Sequence, residues 1–238
     1  MPVARCTRPP PPPCGCGNWL GCSVARSPTY NAPVIRTDEI VITIDPASRG
    51  QDPRAWFPEP GDTELEIGCG KGGFLLRQAR AHPRRNFVGI EWANKYLKYA
   101  ADRMGRWGVA NVRLARADAR HVVTNCLAPD CLSALHVYHP DPWPKKRHAR
   151  RRLFTPEFVA AAVTVLRPGG RWAIQTDHRE YFEVIRELTL ARPELVAVPF
   201  DDPDYGTVAE RTETNFETKY MREGRPIYRL AFRRRDVT

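Results

Sequence analysis

At 238 residues, with 37 Lys and Arg against 27 Asp and Glu and a formal charge of +10, the chain is long enough for one α/β domain and too short for two domains with linkers. No apolar run approaches the ~18 residues that span a bilayer, and no signal-peptide core precedes a small-residue cleavage site, so the expectation is a cytosolic protein with no membrane partner. The positive balance favours a polyanionic partner, nucleic acid foremost.

Residues 1–36 carry Arg5, Arg8, Arg26 and Arg36 and no acid, and "RPPPPPCGCG" cannot join a helix or a central strand. Cys6, Cys14, Cys16 and Cys22 lack the paired spacing of a zinc site, and the total of seven cysteines argues against a complete disulfide framework. This segment reads as a flexible basic extension without a metal, and residues 37–238 as the folded domain. In "DPRAWFPEPGD", turn chemistry surrounds Trp56 and Phe57, which read as packing anchors.

A regular alternation follows. "TELEI" is a short strand ending in "GCGKGG", and "FLLRQARAH" has helical apolar spacing and stops before Pro83. "NFVGIE" is a second strand. "NKYLKYAADRMGRWG" is a helix with Tyr96, Tyr99, Ala100 and Met104 as its apolar spacing, "NVRLARAD" a third strand and "CLSALHVYH" a fourth. "TPEFVAAAVTVL" is a helix with Thr155 as N-cap and Pro156 in its first turn, and "RPGGRWAIQTD" is a turn followed by a fifth strand. "TNFETKY" reads as a polar substrate loop and "REGRPIYRLAFRRR" as an edge strand. Strand and helix alternate as in a doubly wound, mostly parallel α/β sheet, whose ligands bind beyond the carboxyl ends of the strands. Gly70, Glu91, Asp118 and Asp141 follow successive strands and are expected to line one crevice.

Gly68, Gly70 and Gly73 form a G-x-G-x-x-G pattern between strand and helix, with Glu91 at the end of the next strand. Alone, this fits a dinucleotide as well as the nucleoside cofactor S-adenosylmethionine, since either presents ribose hydroxyls to an acid. Glu66, inside the first strand where a dinucleotide site usually has an apolar residue, and Asp118, placed to meet an adenine amino group, favour the methyl donor.

The stretch "HPDPWPKKRHARRR" sets Asp141 and Trp143 in a proline-stiffened corner against Lys145, Lys146, Arg147, Arg150, Arg151 and Arg152. Such a block neutralises phosphates next to a pocket or forms a solvated surface. Trp143 has two readings as well, stacking on a flipped-out base or packing into the domain.

Together, "LEIGCGKGGFL", "FVGIE", "ARADAR", "HPDPWPKKRHARRRL", "LRPGG", "QTDHREY" and "TNFETKYMREGRPIY" resemble the bacterial tRNA (guanine-N7-)-methyltransferases, of the Rossmann-like class I methyltransferase fold, over about residues 60–232. The resemblance implies methyl transfer from S-adenosylmethionine to N7 of a guanosine in the variable loop of tRNA. It places Glu66, Glu91 and Asp118 at the donor and Asp141, as the catalytic position, where donor and guanine meet. It gives Lys145, Asp177, Thr214, Asn215, Phe216 and Glu217 to the RNA substrate. Cys69 stands where the family commonly has phenylalanine, and His139 where an aromatic residue is usual. An NAD-dependent dehydrogenase, for which a substrate domain has no room, and a non-catalytic RNA-binding module on the same fold are the alternatives. Monomer and homodimer are both open.

Overall fold

The computed structural model describes residues 34–201, Gly224 and residues 226–236, within the compact unit Ala32–Thr238. Among the described residues, the backbone is first engaged at Ile35, whose N–H donates to the Gly105 carbonyl at 3.2 Å. The approach is so close that a Cβ on Gly105 would lie 2.5 Å from the Ile35 oxygen. A short helix, α1 (Thr37–Ile40), then leads into β1 (Val41–Ile42). Phe57 is buried and Trp56 half-buried, with Arg113 donating to the Trp56 carbonyl at 3.0 Å, so the two aromatics do anchor this entry segment.

The alternating region follows in chain order: β2 (Thr63–Ile67), α2 (Gly73–Ala81), β3 (Asn86–Ile90), α3 (Asn94–Arg106) and β4 (Val112–Ala115). Next come α4 (Ala119–His121), continued by a π-helical turn (Val122–Cys126), then β5 (Leu132–Tyr138), a 3-10 helix (Lys146–Arg151) and α5 (Pro156–Val165). The chain completes β6 (Leu166–Thr176), α6 (Arg179–Leu190), β7 (Leu195–Val198) and β8 (Tyr228–Arg234). The Thr155 side chain accepts the Phe158 N–H at 3.2 Å, with Pro156 in the first turn, so α5 starts as its sequence dictates. "RPGG" belongs to β6 as an irregularity: pairing with β5 steps from Leu132 opposite Leu166 to Ala134 opposite Arg171.

The sheet runs β1-β4-β3-β2-β5-β6-β8-β7, every pair parallel except those made by β8. The C-terminal strand is therefore antiparallel, as expected, but it is not an edge. It lies between β6 and β7, with Ala231 and Phe232 buried, and the edge is the four-residue β7, a strand that no local sequence signal marks. Strand order reverses between β2 and β5, which makes the carboxyl ends there the natural crevice of the fold.

Each face of the sheet has its own core. Leu65, Ile67, Val88 and Ile90 pack with Phe158 and Trp172 on one side, and Phe74, Phe87, Leu97 and Met104 pack on the other. Because β2 is buried on both faces, alternation carries Glu64 and Glu66 into this second interior. Helix α3 buries Leu97, Ala100, Ala101 and Met104. Tyr96 and Tyr99, expected on that face, are 43% and 47% exposed, because they lie beside the stripe centred on Leu97 and Ala101. Among the described residues no helix is long and apolar enough to cross a membrane.

Candidate functional site

The loop from β2 to α2 turns on three glycines in the left-handed region, Gly68 (φ 73°), Gly70 (φ 54°) and Gly72 (φ 67°), so Gly72 rather than Gly73 is the third special position. Their surroundings differ. A Cβ on Gly72 would sit 2.8 Å from Met104 Cε, whereas one on Gly68 would meet nothing within 4 Å and one on Gly70 only the Gly68 oxygen at 4.0 Å. Gly72 thus lets α2 close on α3, while Gly68 and Gly70 form an open cradle. Glu91 fixes that cradle, accepting the Gly70 N–H at 2.9 Å and the Ala93 N–H at 2.8 Å.

Two buried acids lie beneath. Burial pulls the Glu64 carboxyl up, but hydrogen bonds and charge from His136 (2.9 Å) and Arg85 (3.0 Å) outweigh it and hold Glu64 below its usual range. His136 continues the chain to the Tyr138 hydroxyl at 2.9 Å, so this acid belongs to a satisfied structural network that the sequence did not announce. Glu66 differs. Its Oε2 is buried without a hydrogen-bond partner, and burial pushes its carboxyl up to about 8, opposed by the charge of Arg77 and reinforced by that of Glu91. Cys69 is buried beside Gly89, Leu75 and Leu114, and burial, with Glu66 and Glu91, raises its thiol further out of reach of ionisation.

Asp118 follows β4 and caps α4, its Oδ1 accepting the N–H groups of Arg120 (2.9 Å) and His121 (3.3 Å). Asp141 is exposed on the loop after β5. That loop holds two of the three non-glycine residues with positive φ among those described, His139 (φ 50°) and Trp143 (φ 41°), one on each side of Asp141. Such backbone costs on the order of 1–3 kcal/mol per residue and persists only where neighbours enforce it. Here they do. The His139 N–H donates to the Gln175 carbonyl at 2.7 Å, and Arg152 donates to the carbonyl of Pro142 at 2.8 Å and of Trp143 at 3.5 Å. Arg120 in turn donates to the carbonyls of Arg150 and Arg152.

Arg152 is therefore withdrawn from the phosphate-facing block expected from sequence. It is half-buried, with its guanidinium 5.0 Å above the Tyr181 ring. Lys145, Arg147, Arg150 and Arg151 are exposed. Trp143 packs on its own loop, with Arg151 4.9 Å from its ring centre and His148 edge-on at 5.7 Å.

Asp177 follows β6, next to β5, and its Oδ1 lies 3.5 Å from His139 Nδ1. Gln175 Oε1 accepts from Arg229 at 2.9 Å, so its amide nitrogen faces His139 Nε2 at 2.9 Å and must donate there. Nε2 is then the acceptor and Nδ1 carries the ring proton toward Asp177. Gln175 and Arg229, 54 residues apart, were not foreseen, because nothing local in either segment signals the other. Thr214, Asn215, Phe216 and Glu217, like the four N-terminal cysteines, lie outside the described residues.

The site thus spans the carboxyl ends of adjacent strands β4, β3, β2, β5 and β6, with direct contact between Gly70 and Glu91 and between His139 and Asp177. A family model described as "Putative methyltransferase" matches residues 61–230. The tRNA (guanine-N(7)-)-methyltransferase of Bordetella parapertussis is 38% identical over 79% of this chain and 73% of its own. That of Myxococcus xanthus is 37% identical over 74% and 84%, and that of Nocardia farcinica 40% identical over 74% and 68%. Among solved structures, the 16S rRNA methyltransferase KamB aligns with a TM-score of 0.54 at 16% identity, over 77% of this chain and 91% of that one, a likeness of fold alone. The strand order, the glycine cradle held by an acid and these relatives agree: the chain belongs to the tRNA (guanine-N7-)-methyltransferase family.

Proposed function

We propose that this protein transfers a methyl group from S-adenosylmethionine to N7 of a guanosine in tRNA, the guanosine being one of the variable loop. The observation that carries the reading is the pairing of two loops at the switch point: an open glycine cradle tied to Glu91, and a strained Asp141 corner that runs into a cationic 3-10 turn. The comparisons lend no support to the dehydrogenase or the non-catalytic reading.

The residues fit such a cofactor. Gly68 and Gly70 leave space for a ligand against the backbone, and the partnerless, buried Glu66 Oε2 is an acceptor suited to a cationic group. Glu91 and Asp118 would hold the nucleoside, each keeping acceptor capacity beyond its backbone N–H groups. When bound, S-adenosylmethionine supplies an electrophilic methyl group.

Guanine N7 carries an in-plane lone pair and no proton, so no side chain has to remove one before the bond forms. The chain's own contribution is then positioning. Asp141 acts as an orienter, accepting from the guanine N1 and N2 hydrogens or balancing the charge left on the methylated ring. Asp177, aligned by the Nδ1 proton of His139, and Lys145 hold the nucleotide from the other side of the same corner. Exposed Arg147, Arg150 and Arg151 face the phosphate chain that carries the base.

The test is incubation with unmodified bulk tRNA and S-adenosylmethionine, followed by reductive cleavage specific to 7-methylguanosine. Cleavage at one variable-loop guanosine is expected. Methyl incorporation without it would overturn the N7 assignment.

A further inference from the structure

Helix α3 leaves an unusual stripe in solvent. Six large hydrophobic residues are exposed among those described, and the three aromatic ones, Trp92 (66%), Tyr96 (43%) and Tyr99 (47%), fall within eight residues of one another. The aliphatic ones, Val34, Leu190 and Val196, lie elsewhere on the chain. Tyr96, Tyr99 and Arg103, at i, i+3 and i+7, share one face of the helix.

Cations accompany the rings. Lys71 Nζ lies 5.5 Å from the Tyr99 ring centre, and the Arg116 guanidinium lies 5.5 Å from that of Trp92. Arg103 reaches the Lys71 carbonyl at 3.5 Å, joining the stripe to the glycine loop. From Trp92 to Arg106 the chain carries Lys95, Lys98, Arg103 and Arg106 against the single acid Asp102, which is itself paired with Arg106 at 2.8 Å.

Flat rings interleaved with cations suit a partner that is polyanionic and has stackable faces, which describes RNA bases on a phosphate chain. Protein interfaces also favour Tyr, Trp and Arg but are poor in lysine, and the lysines here, Lys71, Lys95 and Lys98, suit a phosphate chain instead. The stripe's place in the fold agrees. Lys71, Trp92 and Arg116 follow β2, β3 and β4, so the stripe begins at the carboxyl edge on one side of the glycine loop, while the basic corner follows β5 on the other. An RNA reaching the crevice can touch both.

We infer that Tyr96, Tyr99, Lys71 and Arg103 form a second RNA-contact surface, flanking the donor loop on the side away from the basic corner and holding substrate nucleotides remote from the reacting base. The inference rests on the tRNA-methylation reading for its substrate, but its binding arm can be measured without turnover.

The test uses the full chain and an unmodified, fluorescently labelled tRNA transcript in direct binding, with S-adenosylmethionine binding and methyl transfer measured in parallel. The double variant Tyr96→Ala, Tyr99→Ala is expected to weaken tRNA binding about tenfold or more. Its donor affinity and its kcat at saturating tRNA should equal those of the wild type. Tyr96→Phe, Tyr99→Phe, which keeps the rings, should restore binding, a rescue that a role in hydrogen bonding through the hydroxyls would not give. Trp92 is left in place because its neighbour Glu91 holds the glycine loop. Unchanged tRNA binding in the alanine variant would overturn the surface, as would loss of a concentration-dependent dimer in sedimentation with tRNA binding intact, which would assign the stripe to a second copy of the chain. Weakened binding by the variant with no methyl transfer by the wild type would keep the surface and sink the methylation reading instead.

Discussion

The carboxylate of Glu91 holds the backbone of Gly70: one oxygen accepts the Gly70 N–H at 2.9 Å while the other accepts that of Ala93 at 2.8 Å. A side chain that closes β3 thereby sets the shape of the loop that follows β2. Glu91→Gln puts an NH2 group where one of the two N–H donors now finds an acceptor. Donor affinity is expected to fall by at least tenfold, about 1.4 kcal/mol, since charge-assisted hydrogen bonds of this kind are worth roughly 1.5–3 kcal/mol. Isothermal calorimetry against S-adenosylmethionine measures it, and an unchanged Kd would show that the cradle does not depend on Glu91.

Glu66 makes stability and donor binding respond to pH in opposite directions. Burial raises its carboxyl from the ordinary 4.5 to about 8 in the fold, so between those values the folded state binds the extra proton. Stability is therefore lost as pH rises through that window, by an amount on the order of 5 kcal/mol. Glu66→Gln is expected to raise Tm at pH 9 and to leave it unchanged at pH 4. A cationic ligand beside Glu66 favours the ionised form, so donor affinity of the wild type should tighten from pH 6 to pH 9 and the glutamine variant should lose that dependence. A flat profile in the wild type would remove Glu66 from the donor site.

The cations of the 145–152 stretch divide into two kinds, and substitution should separate them. Arg152 binds the carbonyls of Pro142 and Trp143, so Arg152→Ala should lower Tm and reduce kcat by releasing the strained corner. Lys145→Ala or Arg147→Ala should leave stability within about 0.5 kcal/mol of wild type and weaken tRNA binding. Each should also cut the slope of log affinity against log salt by about 0.7–0.9. Equal salt slopes for all three variants would contradict the division.

Asp141 is exposed and flanked by the two left-handed residues, a placement that suits a group held out toward a substrate. Asp141→Asn should lower kcat/KM by roughly 100-fold at every pH tested, with donor Kd nearly unchanged. A true proton acceptor would instead show a pH-rate limb that disappears in the variant.

Much of the local geometry was legible because its signals are local. "GCGKGG" between a strand and a helix, Glu91 at the end of the next strand and Thr155 ahead of Pro156 each declare their geometry within a few residues. Where sequence reasoning missed, the deciding contact was distant. Tyr96 and Tyr99 look apolar, yet the packed face of α3 is set by which residues meet α2 across Gly72. Arg152 reads like its basic neighbours until the carbonyls it binds are in place. β7 is too short to show a period, and its status follows from β8 arriving beside it. The His139, Gln175 and Arg229 chain joins three segments with no shared pattern, and His139, a departure from the family, shows its use only through those partners.

The position of β8 has a consequence for biosynthesis. Strand β7 leaves the ribosome before the strand that separates it from β6, and so waits for its strand partner among the described residues until Tyr228–Arg234 emerges. Arg229 comes with β8, and with it the restraint on Gln175 behind His139. Translation therefore supplies both partners of the Gly70–Glu91 contact well before the strand that restrains Gln175 behind His139. Limited proteolysis of chains stalled before residue 228 should cut around β7, and protection should appear once β8 has left the ribosome.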